Sequence, residues 1–132
     1  MKASFIALFA ALAVVPTAVA HRPATAKETV ALRAAAVSAF ANLCINIAPC
    51  KVTFKRIRLS RVRVSTVDPH FATAEVDVLY NPPVSLGGTT LFWHGQRRWA
   101  VIDSGDEGVG CGLLTPAVWT DLFGAHYETW CR

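Results

Sequence analysis

Apolar and polar residues recur with two different periods along this chain, and the periods divide it into helices and strands. Over residues 27–43 alanine and leucine dominate, and no glycine or proline interrupts them, which predicts a helix. Residues 51–64 are rich in valine, isoleucine, threonine and phenylalanine, which predicts a long strand. Further strands are expected over residues 71–80, 89–93 and 98–103, and a short helix is expected over residues 116–123.

The long strand changes the phase of its apolar positions twice. Its apolar pairs, each out of step with the one before, are Val52 with Phe54, Ile57 with Leu59, and Val62 with Val64. Bulges at residues 55–56 and 60–61 would let all of these side chains face the core. We therefore expect one strongly bent strand, and two shorter strands are the alternative.

The order of the elements predicts an α+β fold. It consists of an N-terminal helix, a four-stranded antiparallel meander and a short C-terminal helix, because tight turns at residues 67–70 and 94–97 imply that successive strands are neighbours. With both helices available to cover one face of the sheet, a two-layer domain is expected. In shape this order is similar to cystatin-like and nuclear-transport-factor-2-like folds, an analogy that carries no activity.

Residues 1–20 have the pattern of a secretory signal peptide. Lys2 supplies the positive start, residues 5–15 are an unbroken apolar run, and Ala18 and Ala20 form a small-residue cleavage signal. The run is shorter than the roughly 20 residues that a membrane-spanning helix needs. We therefore expect a secreted protein with a flexible leader at 21–26, one domain over 27–132 and no membrane span after cleavage.

Export would place the 4 cysteines of the chain in an oxidising compartment, where an even number predicts disulfide bonds. Short loops favour the pairs Cys44–Cys50 and Cys111–Cys131. The alternative is Cys50–Cys111 with Cys44–Cys131, because all four segments could meet at the end of the sheet opposite the two tight turns.

The formal net charge is +4, and much of the positive charge lies on the long strand. Its outward-facing arginines are Arg56, Arg58, Arg61 and Arg63. This basic strand could dock an anionic cell-envelope polymer, acidic lipid headgroups or another exported protein. The alternative is a solvated face whose charges pair with Glu75 and Asp77. Nucleic acid is not an expected partner, because no aromatic residues interleave with the basic ones.

Two of the predicted turns carry side chains that could perform chemistry. Asp68 and His70 lie in the first turn of the meander and His94 in the last, and both turns belong to the same end of the sheet. The three side chains could form a weak metal site or a general base. The alternative is that both histidines are simply exposed. No cofactor or metal-ligand motif is present, and no catalytic residue is assigned.

Several short stretches together resemble one known family. They are residues 63–69 (Arg-Val-Ser-Thr-Val-Asp-Pro), residues 98–101 (Arg-Trp-Ala-Val) and residues 110–112 (Gly-Cys-Gly), which lead to Pro116-Ala117-Val118 and Asp121-Leu122. The chain resembles, from about Cys50 to Gly124, a family of small exported proteins of actinobacterial type that carries no known activity. The resemblance implies the fold and export, and it transfers no catalytic residue.

These observations predict an exported, disulfide-stabilised binding or interaction module whose ligand the sequence does not reveal. The alternatives are a small pocket enzyme of nuclear-transport-factor-2-like shape and an inhibitor of a secreted hydrolase. A cavity between helix and sheet that is lined by two or more titratable groups would favour the enzyme. A filled core with an exposed apolar hairpin would favour the module or the inhibitor.

The signal peptide gives the first testable prediction. Because Ala18 and Ala20 satisfy the small-residue requirement, cleavage is expected after Ala20. N-terminal sequencing of the protein from the culture medium should therefore begin at His21. Secreted protein that retains Met1 would contradict export by this route.

Overall fold

A computed structural model of the chain describes residues 21–41 and 52–132. Within these ranges the fold is α+β, with one antiparallel sheet in which the strands lie in the order β1-β2-β3-β4-β5. The strands are β1 (His21–Pro23), β2 (Thr53–Ser65), β3 (Phe71–Asn81), β4 (Val84–His94) and β5 (Trp99–Gly105). The helices are α1 (Ala26–Phe40), α2 (Pro116–Phe123) and α3 (Tyr127–Trp130).

The sheet has one strand more than the meander that the sequence predicts. Residues expected in a flexible leader form β1, which pairs with the end of β2 so that His21 lies opposite Ser65. The expectation of four strands is therefore wrong. Three residues are too few to show an alternation, so the sequence pattern carries no signal for this strand.

Strand β2 is one continuous, irregular strand, as the phase changes predict. Its pairing with β3 shifts register between Phe54 and Arg56 and again between Ser60 and Arg63. Arg61, inside the second shift, has a φ of 49°, the left-handed conformation that a bulge residue can adopt. Both predicted bulges are confirmed, and the alternative of two shorter strands is wrong.

The two longer helices begin at side-chain caps. Thr25 accepts a hydrogen bond from the Glu28 N–H, while the Glu28 carboxylate accepts one from the Thr25 N–H, which completes a capping box. Thr115 caps α2 with Pro116 at the first helical position, and Gly124 ends it at a φ of 64°. The short C-terminal helix is thus confirmed at its predicted bounds.

The two helices cover opposite faces of the sheet, so the expectation of a two-layer domain is wrong. Leu32 and Ala36 of α1 pack with Phe92, whereas Trp119 of α2 packs with Leu91. Leu91 and Phe92 are successive residues of β4, and successive side chains of a strand point to opposite faces. The fold therefore has a core on each side of the sheet.

Strand β4 begins earlier than the sequence pattern suggests. Residues 81–88 are expected to form a loop because they contain two prolines and two glycines, yet β4 starts at Val84 and Gly87 pairs with Asp77. A Cβ at Gly87 would lie only 2.8 Å from the Asp77 Oδ1. The glycine therefore marks a close approach within the sheet rather than a loop.

A disulfide joins Cys111, in the loop before α2, to Cys131 in the tail, with a Cα–Cα distance of 5.1 Å. This predicted pair is confirmed, and the alternative that pairs Cys111 with Cys50 is wrong. Cys44 and Cys50, the other predicted pair, lie outside the described residues. In the part of the chain that the structure describes, no helix has the length and apolarity needed to cross a membrane.

Candidate functional site

The two predicted turns meet at one end of the sheet. The His94 N–H donates a hydrogen bond of 2.7 Å to the His70 carbonyl, and the two imidazole rings lie 6.4 Å apart between centroids. His94 also contacts the ring of Trp99 at 5.0 Å. The structure thus brings together Asp68, His70 and His94, which we call the hairpin-end cluster.

Within this cluster, Asp68 orients His70. The Asp68 Oδ1 accepts a hydrogen bond of 3.0 Å from the His70 N–H and lies 2.9 Å from the His70 Nδ1. The backbone N–H is the main cause that lowers the pKa of Asp68, and the imidazole contributes further. With Nδ1 engaged by the carboxylate, the Nε2 of His70 is left for solvent or a ligand. Among the described residues, no group of three or more potential ligands could hold a metal ion.

A buried carboxylate that the sequence analysis missed holds this turn in place. Asp121 of α2 is 3% exposed, and its Oδ2 accepts hydrogen bonds from the Ser65 hydroxyl at 2.5 Å and the Thr66 N–H at 2.8 Å. The Ser65 hydroxyl oxygen accepts in turn from the N–H groups of Val67 and Asp68. A sequence signal existed: Asp121 interrupts an otherwise apolar helix face.

Beside the hairpin-end cluster, an open groove of about 820 Å³ runs between α1 and β5. One wall is the small-residue face of α1, which consists of Ala31, Ala34, Ala35, Ser38 and Ala39. Trp99 and Val101 of β5 form the other side, and both also pack against the core. From residue 28 to residue 39 the helix rises about 16 Å, at about 1.5 Å per residue. The groove is therefore long enough for an extended ligand.

The rim of the groove is cationic. Lys27, Arg97 and Arg98 line it together with His94, and none of the three cations takes part in an ion pair of the described part of the chain. Of these residues, only His94 was selected from the sequence, and the three cations were not. The repeated small residues of the helix at a spacing of three to four, and the paired arginines of the last turn, were the available signals.

The remaining cation of the rim, Arg22, is neutralised by Glu28. Its two guanidinium nitrogens donate to the two carboxylate oxygens at 2.6 and 2.8 Å, a bidentate pair that links β1 to the first turn of α1. The hydrogen bonds from Arg22 are the main cause that lowers the pKa of Glu28 to about 2. This pair fixes the wall of the groove and leaves the positive charge to the other three cations.

The four arginines of the basic strand do not act as one free surface. Arg61 forms an ion pair of 2.9 Å with Glu75, and Arg63 donates to the Leu122 carbonyl at the end of α2. Arg56 and Arg58 instead line a separate groove of about 490 Å³ that also contains Asp77 and Arg33. Arg61 and Arg63 are thus bonded within the protein, whereas Arg56 and Arg58 line an open groove.

The last hairpin presents an aromatic side chain to solvent. Of its neighbouring aromatic residues, Phe92 is completely buried, whereas Trp93 is 43% exposed. A Cβ at Gly95 would lie 2.6 Å from the Trp93 ring, so the ring packs over the glycine of the turn. The exposed apolar residue on the hairpin is a feature expected of a binding module or an inhibitor, whereas the groove between α1 and β5, which titratable groups line, is a feature expected of a pocket enzyme.

No family model matches the chain, and neither a curated protein nor a solved structure is significantly similar to it. The resemblance to small exported proteins of actinobacterial type therefore stays a prediction. Function has to be inferred from the geometry of the groove and its rim.

The Arg22–Glu28 pair predicts a pH-dependent stability. Because folding lowers the pKa of Glu28 from near 4.5 to about 2, its contribution is complete above about pH 4.5 and is lost as the pH falls through about 2. We expect Glu28→Gln to lower the free energy of unfolding by about 1 kcal/mol at neutral pH. The difference from the wild type should shrink towards pH 2 in chemical denaturation.

Glu75→Gln is the matched control, since the Arg61–Glu75 pair is more exposed and should contribute less than about 0.5 kcal/mol. A difference between Glu28→Gln and the wild type that stays constant from neutral pH to pH 2 would show that the Glu28 charge does not stabilise the fold.

Proposed function

We propose that this chain is an exported binding module that takes an anionic ligand with an apolar body into the groove between α1 and β5. The observation that carries the proposal is the pairing of an alanine-walled groove of about 820 Å³ with a rim of three cations that have no ion-pair partner among the described residues. The signal peptide predicted at residues 1–20 and the Cys111–Cys131 disulfide support export.

The walls favour an extended apolar body. Alanine side chains end at the Cβ, so the helix face leaves space where larger residues would fill it, and Trp99 and Val101 offer apolar surface opposite. The volume lies within the range of about 300–1,000 Å³ that is typical of small-molecule sites. An acyl chain is the simplest body that fits such a groove.

The rim favours a carboxylate or phosphate on that body. Lys27 lies in the first turn of α1, and Arg97 and Arg98 lie in the turn between β4 and β5, so cations approach the groove from both sides. An arginine fork pairs well with planar anionic groups. Docking of an anionic envelope surface on Arg56 and Arg58, which line a different groove, is a separate proposal.

The position of α1 against the sheet is the part of the fold that bears on the proposal. Helix α1 lies against both β2 and β5, across a sheet whose second strand is bulged twice. The expected likeness to cystatin-like and nuclear-transport-factor-2-like shapes rests on this order of a helix followed by an antiparallel meander. The likeness itself carries no ligand.

Octanoate, with neutral octan-1-ol as its matched probe, tests the proposed ligand class by calorimetric titration. The wild type should bind octanoate about tenfold more tightly than octanol, since charge-assisted hydrogen bonds contribute about 1.5 kcal/mol or more. Changing Arg97 and Arg98 together to serine should remove this difference while leaving octanol binding unchanged.

Changing Arg56 and Arg58 together to serine is the matched control, because it removes the same charge without altering the groove. A further variant, Ala34→Leu, fills the groove at an exposed helical position with every charge intact, and it should weaken both probes. Equal losses in the two double variants, or full binding in Ala34→Leu, would contradict a ligand held in this groove.

A second candidate function, a hydrolase acting in the same groove, is favoured by the contact between Asp68 and His70. A carboxylate that orients an imidazole is the arrangement of a general base, and Pro69 and His94 place this cluster at the groove. Release of octanoate from an octanoyl ester, lost in His70→Ala while octanoate still binds, would support the enzyme. An ester left intact by the wild type would exclude it.

A further inference from the structure

A second cavity, of about 200 Å³, lies on the other side of the sheet and shares no lining residue with the groove. It is formed between the loop after β5 and the helices α2 and α3. Its aromatic lining residues are Trp119, Phe123 and Trp130, and we call it the aromatic cavity. The remaining lining residues include Val109 and Ala125, and no basic residue is among them.

The aromatic walls are held in fixed positions. Trp119 is buried, and its indole N–H donates a hydrogen bond of 2.9 Å to the Val109 carbonyl, while its ring stacks on Phe123 at 4.7 Å. Trp130 is 59% exposed, and the adjacent Cys131 is tied by its disulfide to Cys111. The disulfide therefore holds the segment that carries the exposed Trp130 ring beside the loop.

Two carboxylates lie at the mouth of the aromatic cavity. Asp106 and Glu107 line it, both residues are exposed, and among the described residues neither side chain has an ion-pair or hydrogen-bond partner. Asp103, the third acid of the same loop, is engaged differently, because its carboxylate accepts from the Gly110 and Ser104 N–H groups. The carboxylates of Asp106 and Glu107 therefore add negative charge at the cavity, and no cation among the described residues pairs with them.

We propose that the aromatic cavity binds a quaternary ammonium group, such as that of choline. Aromatic faces attract cations that have lost their water, and a quaternary ammonium is weakly hydrated and needs no hydrogen-bond acceptor. A primary ammonium is a compact, strongly hydrated charge, so it loses more hydration than a quaternary ammonium does when it enters among the aromatic rings. A volume of about 200 Å³ is below the range of drug-sized ligands, which matches a single small cationic group.

The neutral isostere of choline, 3,3-dimethylbutan-1-ol, separates cation recognition from apolar contact. Titrations followed by the indole N–H signals in NMR spectra should show saturable choline binding at millimolar concentration. The isostere should bind about tenfold more weakly, because the cation–π attraction is absent. Phosphatidylcholine vesicles, added in a separate arm, establish whether the same group is also recognised on a lipid.

Two variants and one control assign the binding to this cavity. Asp106→Asn combined with Glu107→Gln should weaken choline binding about tenfold. Trp130→Ala should abolish choline binding, and it should leave the protein folded because Trp130 is exposed. Glu128→Gln removes a nearby exposed charge outside the cavity and should leave the affinity unchanged. Equal affinity for choline and its isostere, absence of choline binding, or an equal loss in Glu128→Gln would overturn the proposal.

Discussion

The buried carboxylate of Asp121 joins helix α2 to the end of strand β2. A charge removed from water is costly unless its oxygens are hydrogen-bonded, and here the end of β2 supplies the donors through Ser65 and Thr66. The main chain of the same helix is used as well, because the Asp121 carbonyl accepts from the His21 side chain and the Leu122 carbonyl accepts from Arg63. Helix α2 therefore has one position in which its charge is satisfied, and that position also holds β1 and the end of β2.

A series of hydrogen bonds connects Asp121 to the hairpin-end cluster. Ser65, held by Asp121, accepts from the N–H groups at the start of the turn between β2 and β3, and this turn carries Asp68, Pro69 and His70. His70 then receives the hydrogen bond from His94 that brings the last hairpin to the same end of the sheet. Arg97 and Arg98 of the cationic rim lie on that hairpin, so hydrogen bonds link the carboxylate of α2 to the hairpin that borders the groove.

Local patterns in the sequence were sufficient for features that depend on neighbours in the chain. The phase changes in β2 and the cap at Thr115 follow from residues close together in sequence, and the meeting of the two turns follows from the meander order of the strands. Features set by long-range pairing were missed. Strand β1 is too short to show a pattern, and the glycines of β4 are typical of a loop in the sequence, whereas the structure shows that Gly87 accommodates the Asp77 side chain. The groove was missed for the same reason: alanines predict a helix well, and only the packed structure shows that their small size leaves space.

A double-mutant cycle between Ser65→Ala and Asp121→Asn tests the central role of the buried carboxylate most directly. The free energies of unfolding of the wild type, both single variants and the double variant are measured by chemical denaturation. Because the hydrogen bond is buried and one partner is charged, a coupling energy of about 1.5–3 kcal/mol is expected. Two losses that add to within about 0.5 kcal/mol would show that Asp121 does not hold the turn, and the link from α2 to the candidate site would be lost.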